Sequence, residues 1–181
     1  MSSDARVEPR YGVGSALRKY AQFSGRSPRR EFWLFTLVVL IGSFVASGID
    51  LALFGFSIEA NGPLSIGFGL AVLLPGITVS VRRLHDRGWS GWWVAPYALF
   101  SVVSVLATIA EFFGLVSIDS WFIAMFGNLD GLTPTVGIFG VVSFLFAVYI
   151  IWLIVTWCRA SQEGPNRYGP NPYGDVDVDV F

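Results

Sequence analysis

His85 is the only histidine in the chain, and it stands beside Asp86 in the stretch Arg82-Arg83-Leu84-His85-Asp86-Arg87-Gly88-Trp89-Ser90-Gly91-Trp92-Trp93. An imidazole next to a carboxylate is the raw material of general acid–base chemistry. On a helix, however, adjacent side chains point about 100° apart and need not meet. The spacing favours Asp86 pairing with Arg82 or Arg83, or capping the turn into Gly88. His85 also has the side chain best suited to sensing pH near neutrality. One histidine cannot build a multi-histidine metal centre, and the lone Cys158 is far away in sequence, so no metal or cofactor is expected.

Arginines dominate the remaining polar chemistry: eleven of the twelve basic residues are Arg. Arg26, Arg29 and Arg30 form one cluster, Arg82, Arg83 and Arg87 a second, and Arg167 lies in the C-terminal tail. The planar guanidinium matches phosphate in a two-pronged way. Arg26, Arg29, Arg30, Arg82, Arg83, His85, Asp86 and Arg167 are therefore the candidate residues for a lipid headgroup or another phosphate-bearing ligand. The simpler reading is that these charges only hold the chain in its orientation. Asp50 and Glu111 are a separate pair of acids inside apolar runs. Either both reach water, or they face each other and bind a cation or share a proton.

These residues are set among long apolar segments. Of 181 residues, 54% are hydrophobic and only 14% charged, with a mean hydropathy of +0.60. Soluble domains carry about 25% charged residues, so the composition points to a bilayer. Four spans are predicted, at about 32–56, 64–81, 92–116 and 136–157. A run of about 25 helical residues reaches about 37 Å, enough to cross with tilt. The second is the shortest and contains Pro75-Gly76; a re-entrant segment is its alternative. Ser27 followed by Pro28 reads as an N-cap and first helical position. Residues 11–23 read as a short amphipathic helix lying in the headgroup layer, with Val13, Leu17 and Tyr20 on one face and Arg18, Lys19 and Gln22 on another. The polar, basic start of the chain and the length of the first apolar run argue against a cleavable signal. Residues 1–10 and 175–181 are expected to be tails flanking a single membrane domain over 11–174.

With four crossings, all twelve basic residues fall on one side: seven before the first span, three in the central connector and two after the last. The positive-inside rule then puts both termini and the connector in the cytoplasm. Trp33, Trp89, Trp92, Trp93 and Trp157 fall near the same interface, where indoles sit at headgroup level. The turn-rich stretch Gly164 to Gly174 is expected to fold back, with Arg167 and Tyr168 against the connector.

Three motifs in order, Ser24-Gly25-Arg26 with Arg29, Glu31, Phe32 and Trp33, then Arg82-Arg83-Leu84-His85-Asp86 with Gly88 and Ser90-Gly91-Trp92-Trp93, then Asn166-Arg167-Tyr168-Gly169, resemble the domain-of-unknown-function-805 family. The resemblance covers about residues 12–175. It implies a small all-α integral protein of the bacterial inner membrane with no established activity. The leading expectation is a non-enzymatic protein that binds lipid headgroups, anionic ones first, or a membrane partner at its cytoplasmic face; a homo-oligomer is also open. A small transporter or channel component using Asp50 and Glu111 is one alternative. A membrane enzyme acting on a phosphate-bearing lipid is another. The basic residues are tied to the membrane by position, so no nucleic acid is expected as a partner.

Overall fold

The computed structural model describes residues 13–55, 61–117 and 134–173. The two predicted tails lie outside the described residues. The described chain is helical: α1 (Val13–Arg18), α2 (Arg29–Phe54), α3 (Pro63–Asp86), a single 3-10 turn at Gly91–Val94, α4 (Ala95–Phe112) and α5 (Pro134–Cys158). Among the described residues no strand forms; one isolated bridge joins Asn166 and Gly169.

Four segments are long and apolar enough to cross a membrane: Arg29–Phe54, Pro63–Asp86, Gly91–Phe112 and Gly137–Cys158. The apolar windows of the last two are only 6% buried within the protein. Phe100, Leu106, Phe144, Leu145 and Ile151 are exposed along them. Apolar surface on that scale is stable only if lipid covers it.

Several predicted bounds move: the helix expected over 11–23 is confined to Val13–Arg18, the first span, expected over 32–56, is Arg29–Phe54, and the third, expected to reach 116, ends at Phe112; two further differences matter for the polar residues. The second helix, expected to end at Val81, continues to Asp86, so Arg82 to Asp86 form its last turn rather than a connecting loop. It ends at Gly88, which adopts φ 74°. There the Gly88 amide donates to the His85 carbonyl and the Trp89 amide to the Leu84 carbonyl, the paired closing bonds of a Schellman stop. Ser27 does not cap α2 through its side chain. Its hydroxyl is buried without a hydrogen-bond partner, because its backbone is engaged by α3: its amide donates to the Arg82 carbonyl and its carbonyl accepts from Arg83. The first helical bond of α2 runs instead from Phe32 to the Pro28 carbonyl.

The chain divides into two compact units. The first takes Met1–Ile41, Leu74–Val94 and Arg159–Phe181. Its apolar core is Ala16, Phe32, Phe35, Val79, Val81, Leu84 and Val94. The Thr78 hydroxyl, in the turn after Pro75, donates to the Tyr20 carbonyl and so ties the segment after α1 to α3. Gly91 presses against α3, where a β-carbon would lie 2.6 Å from Val81 Cγ1 and 3.0 Å from His85 Nε2.

The second unit takes Gly42–Leu73 and Ala95–Cys158. Gly42 lies under the Phe68 ring. Phe100 packs against Phe146, and Tyr97 meets Trp157 edge to face. Asp50, 1% exposed, accepts from the backbone amides of Leu64 and Ser65 and from the Ser65 hydroxyl, at 3.1, 2.8 and 2.7 Å. A carboxylate there satisfies amides that the first turn of α3 leaves without helical partners, and it complements the positive end of the helix dipole.

Candidate functional site

The first unit holds a buried network of charge where the start of α2 meets the end of α3. Arg82, Arg83, Glu31 and Asp86 are each 0% exposed and Arg26 is 6% exposed. Arg26 comes from the loop before α2, Glu31 from the first turn of α2, and the other three from the last turn of α3. Burying charge is costly unless each ion is paired and hydrogen-bonded. One part of the network meets both conditions, and the other is paired without hydrogen bonds.

Asp86 is shared. Its Oδ1 accepts from Arg26 Nε at 3.0 Å, and its Oδ2 accepts from Arg83 one turn earlier on the same helix. Arg26 directs its remaining nitrogens to carbonyls: Nη1 to Gly164 and Gly169, Nη2 to Gln162 and to Asp86 itself. A guanidinium has five N–H donors, so Arg26 is saturated by the protein. Arg83 adds bonds to the carbonyls of Ser27 and Arg159. Arg82 and Glu31 form the other pair, 3.3 Å apart. Their contact is Coulombic: neither Glu31 oxygen and none of the Arg82 nitrogens has a hydrogen-bond partner of good geometry.

Most of the accepting carbonyls belong to one stretch, residues 159–173, called here the strap. It lies against the end of α3. Arg87 donates to the Ala160 carbonyl at 2.5 Å, the Gln162 amide to the Asp86 carbonyl at 3.1 Å, and Asn166 Nδ2 to the His85 carbonyl at 3.0 Å. The His85 and Tyr168 rings stack in parallel, and Arg167 reaches the Gly88 carbonyl while lying over Tyr168. Asn166 shapes the strap's own turn: its Oδ1 accepts from the Tyr168 amide, and its backbone exchanges bonds with Gly169.

The structure thus brings together Arg26, Arg82, Arg83 and Asp86, with His85 half-buried at their edge and Arg167 exposed on the strap. Arg29 and Arg30 are exposed in the first turn of α2. His85 and Asp86 do not form a dyad: the carboxylate is held by two arginines, while the imidazole stacks on Tyr168. Asp50 is likewise engaged, at the start of α3 rather than with Glu111, which is half-buried on α4. Two participants escaped sequence reasoning. Glu31 was legible as an ionisable residue at the threshold of an apolar run, a position that calls for a partner. The strap carbonyls carry no side-chain signature at all. Among the described residues no three His, Cys, Asp or Glu side chains gather as a metal site would require.

Comparison with known proteins places this arrangement in context. The family described as "Protein of unknown function (DUF805)" matches over residues 20–170, which includes Arg26, Glu31, α3 and the strap through Gly169. Among curated proteins of Escherichia coli K12, the chain is 40% identical over 160 residues to inner membrane protein YhaI, covering 87% of this chain and 92% of the relative. It is 30% identical over 158 residues to inner membrane protein YhaH, covering 86% and 91%. It is 29% identical over 151 residues to the uncharacterized protein YiiR, covering 81% and 83%. No solved structure matches the chain.

Proposed function

The chain belongs to the DUF805 family of membrane proteins of unknown function, and from that premise we propose that it is a non-enzymatic inner-membrane protein that binds anionic lipid headgroups at its cytoplasmic face. One observation carries the reading. In the first unit the cations are divided by burial: Arg26, Arg82 and Arg83 are buried, while Arg18, Arg29, Arg30, Arg159 and Arg167 are exposed. The same unit exposes Leu17, Tyr20, Phe23, Trp33, Trp89, Trp92 and Trp93. Exposed arginine mixed with indole and phenyl groups is the composition of a headgroup-level belt. With four crossings, all twelve basic residues share one side, which supports cytoplasmic termini. The exposed apolar side chains after Ala16, next to Arg18 and Lys19, support an N-terminal segment lying in the interface.

Each arginine near an anionic surface contributes about 1 kcal/mol, so Arg29 and Arg30 together supply about 2 kcal/mol, roughly thirtyfold in affinity. The test is native mass spectrometry of the detergent-solubilised chain titrated with phosphatidylglycerol and with phosphatidylcholine. Preferential retention of phosphatidylglycerol, reduced tenfold or more in Arg29→Gln/Arg30→Gln, supports the reading. Equal retention of both lipids, or an unchanged double variant, overturns it.

A further inference from the structure

We propose that the His85–Tyr168 stack is an acid-sensitive latch: protonation of the His85 ring releases the strap from the end of α3. The ring stands in the last turn of α3, past the apolar run that ends at Val81, and is half-buried. Tyr168 lies flat against it. Its Nε2 abuts Gly91, where a β-carbon would come within 3.0 Å. The Gly25 carbonyl accepts a hydrogen bond from the ring. Nδ1 is buried and has no hydrogen-bond partner.

Those surroundings suit a neutral imidazole, which has one N–H and one bare nitrogen. Gly25 takes the N–H, and Nδ1 is left as the bare nitrogen. An imidazolium carries a proton on both nitrogens, and a charged donor buried without an acceptor costs far more than a bare lone pair. A cation over a tyrosine face is ordinarily attracted to it. Here, however, the Tyr168 ring already carries the Arg167 guanidinium, 4.7 Å from its centroid. An imidazolium on the same ring meets that positive charge, and Arg167 acts on His85 directly. The other ionisable groups of the packed elements are turned elsewhere. Asp86 is held by Arg26 and Arg83, Arg82 by Glu31, and Arg87 reaches the Ala160 carbonyl. Arg159, Glu163 and Tyr173 are exposed on the strap.

An imidazolium gains acceptors by parting from Tyr168 into water, and the strap is suited to let it go. It has no regular helix or strand, and of its residues only Pro172 is buried. Losing the stack removes the aromatic part of its hold on α3. The released ring binds a proton more tightly than the latched one. The latch is therefore fully engaged above about pH 6.5, the ordinary imidazole value, and loosens as the pH falls below it. Each unit separating the two proton affinities raises strap opening by up to about tenfold. The latch makes no use of Arg29 or Arg30, so it stands or falls apart from headgroup binding.

The chain has one histidine, so isotopic labelling of histidine gives a single ring to follow by nuclear magnetic resonance. The full chain in phosphatidylcholine nanodiscs is titrated from about pH 8 to about pH 5, across the imidazole range. Hydrogen exchange is read at the Gln162 amide, which bonds to the Asp86 carbonyl, as a protection factor that cancels the intrinsic pH dependence of exchange. Protection is expected to fall about tenfold in step with protonation of the ring. In His85→Gln it is lower throughout and flat with pH. In Tyr168→Ala the ring takes its proton at a higher pH than in the parent chain, as linkage requires. Constant protection in the parent chain, an equal fall in His85→Gln, or a ring in Tyr168→Ala that titrates at the parent's pH or below each overturns the latch. The titration of the unsubstituted chain decides even if neither variant folds.

Discussion

The His85 imidazole lies flat on the Tyr168 ring, with centroids 3.8 Å apart and planes within 6° of parallel. This contact, together with the Asn166 bond to the His85 carbonyl, fixes the far end of the strap on α3. An aromatic pair of this kind contributes about 0.5–1.5 kcal/mol beyond its buried area. Tyr168→Phe keeps the stack and is expected to leave the Gln162 amide, bonded across to the Asp86 carbonyl, as protected from hydrogen exchange as in the parent. Tyr168→Ala is expected to speed its exchange by up to about tenfold. His85→Gln loosens the strap in the same assay but leaves membrane insertion intact, because the apolar helices, not this ring, drive insertion.

Arg82 and Glu31 give a sharper contrast, because each is completely buried and each is the other's ion-pair partner. Removing one member strands an ion: Arg82→Met is expected to destabilise the protein by about 3–5 kcal/mol. Arg82→Met/Glu31→Leu removes both charges and should recover most of that loss. Denaturant unfolding in a fixed detergent, arranged as a double-mutant cycle, measures both values. A double variant less stable than Arg82→Met alone would mean that the pair acts through other neighbours.

Arg26 tests geometry rather than charge. Lysine keeps the positive charge and can still meet Asp86, but it cannot span the carbonyls of Gln162, Gly164 and Gly169 at once. Arg26→Lys is therefore expected to cost at least about 2 kcal/mol, with the loss concentrated in the strap amides. Exchange that accelerates uniformly over α2 and α3 as well would contradict this placement of the effect.

These particular residues show how far a single sequence reaches. The four apolar helices were legible because each carries a run of hydrophobicity; of the partners expected for Asp86, Arg82 or Arg83 or the turn into Gly88, the structure takes Arg83 and adds Arg26, which spacing along one helix does not reveal. The end of α3 was misjudged for a physical reason. Arg82, Arg83 and Asp86 look like a solvated connector, yet Glu31 meets Arg82 and Asp86 meets Arg83, so the helix continues into a buried position. The arginines of the two clusters look alike in sequence, but Arg26 is buried and Arg29 exposed, a difference set by contacts with a strap more than a hundred residues away. Backbone carbonyls complete the network, and every residue type has one.

Asp50 separates a structural acid from a transport acid. Asp50→Asn retains one acceptor oxygen, whereas Asp50→Ala retains none. The Leu64 and Ser65 amides are expected to exchange faster in Asp50→Asn and faster still in Asp50→Ala. Reconstituted vesicles carrying either variant, or Asp50→Asn/Glu111→Gln, should show the same proton and cation leak as the parent. A change in flux with unaltered amide exchange would assign Asp50 a conducting role instead.

The first unit is assembled from three separated stretches of chain, and the bonds from Arg26 to Gly164 and Gly169 close it across 138 and 143 positions. Synthesis proceeds from the N-terminus, so Arg26 is made first, Asp86 reaches it only after two apolar helices, and the last acceptors only after the fourth. A nascent or shortened chain lacking the strap carries arginines with too few acceptors at the membrane edge, in a unit that cannot yet close. The hydrogen bonding of Arg26, near the start of the chain, is thereby completed only by residues made near its end.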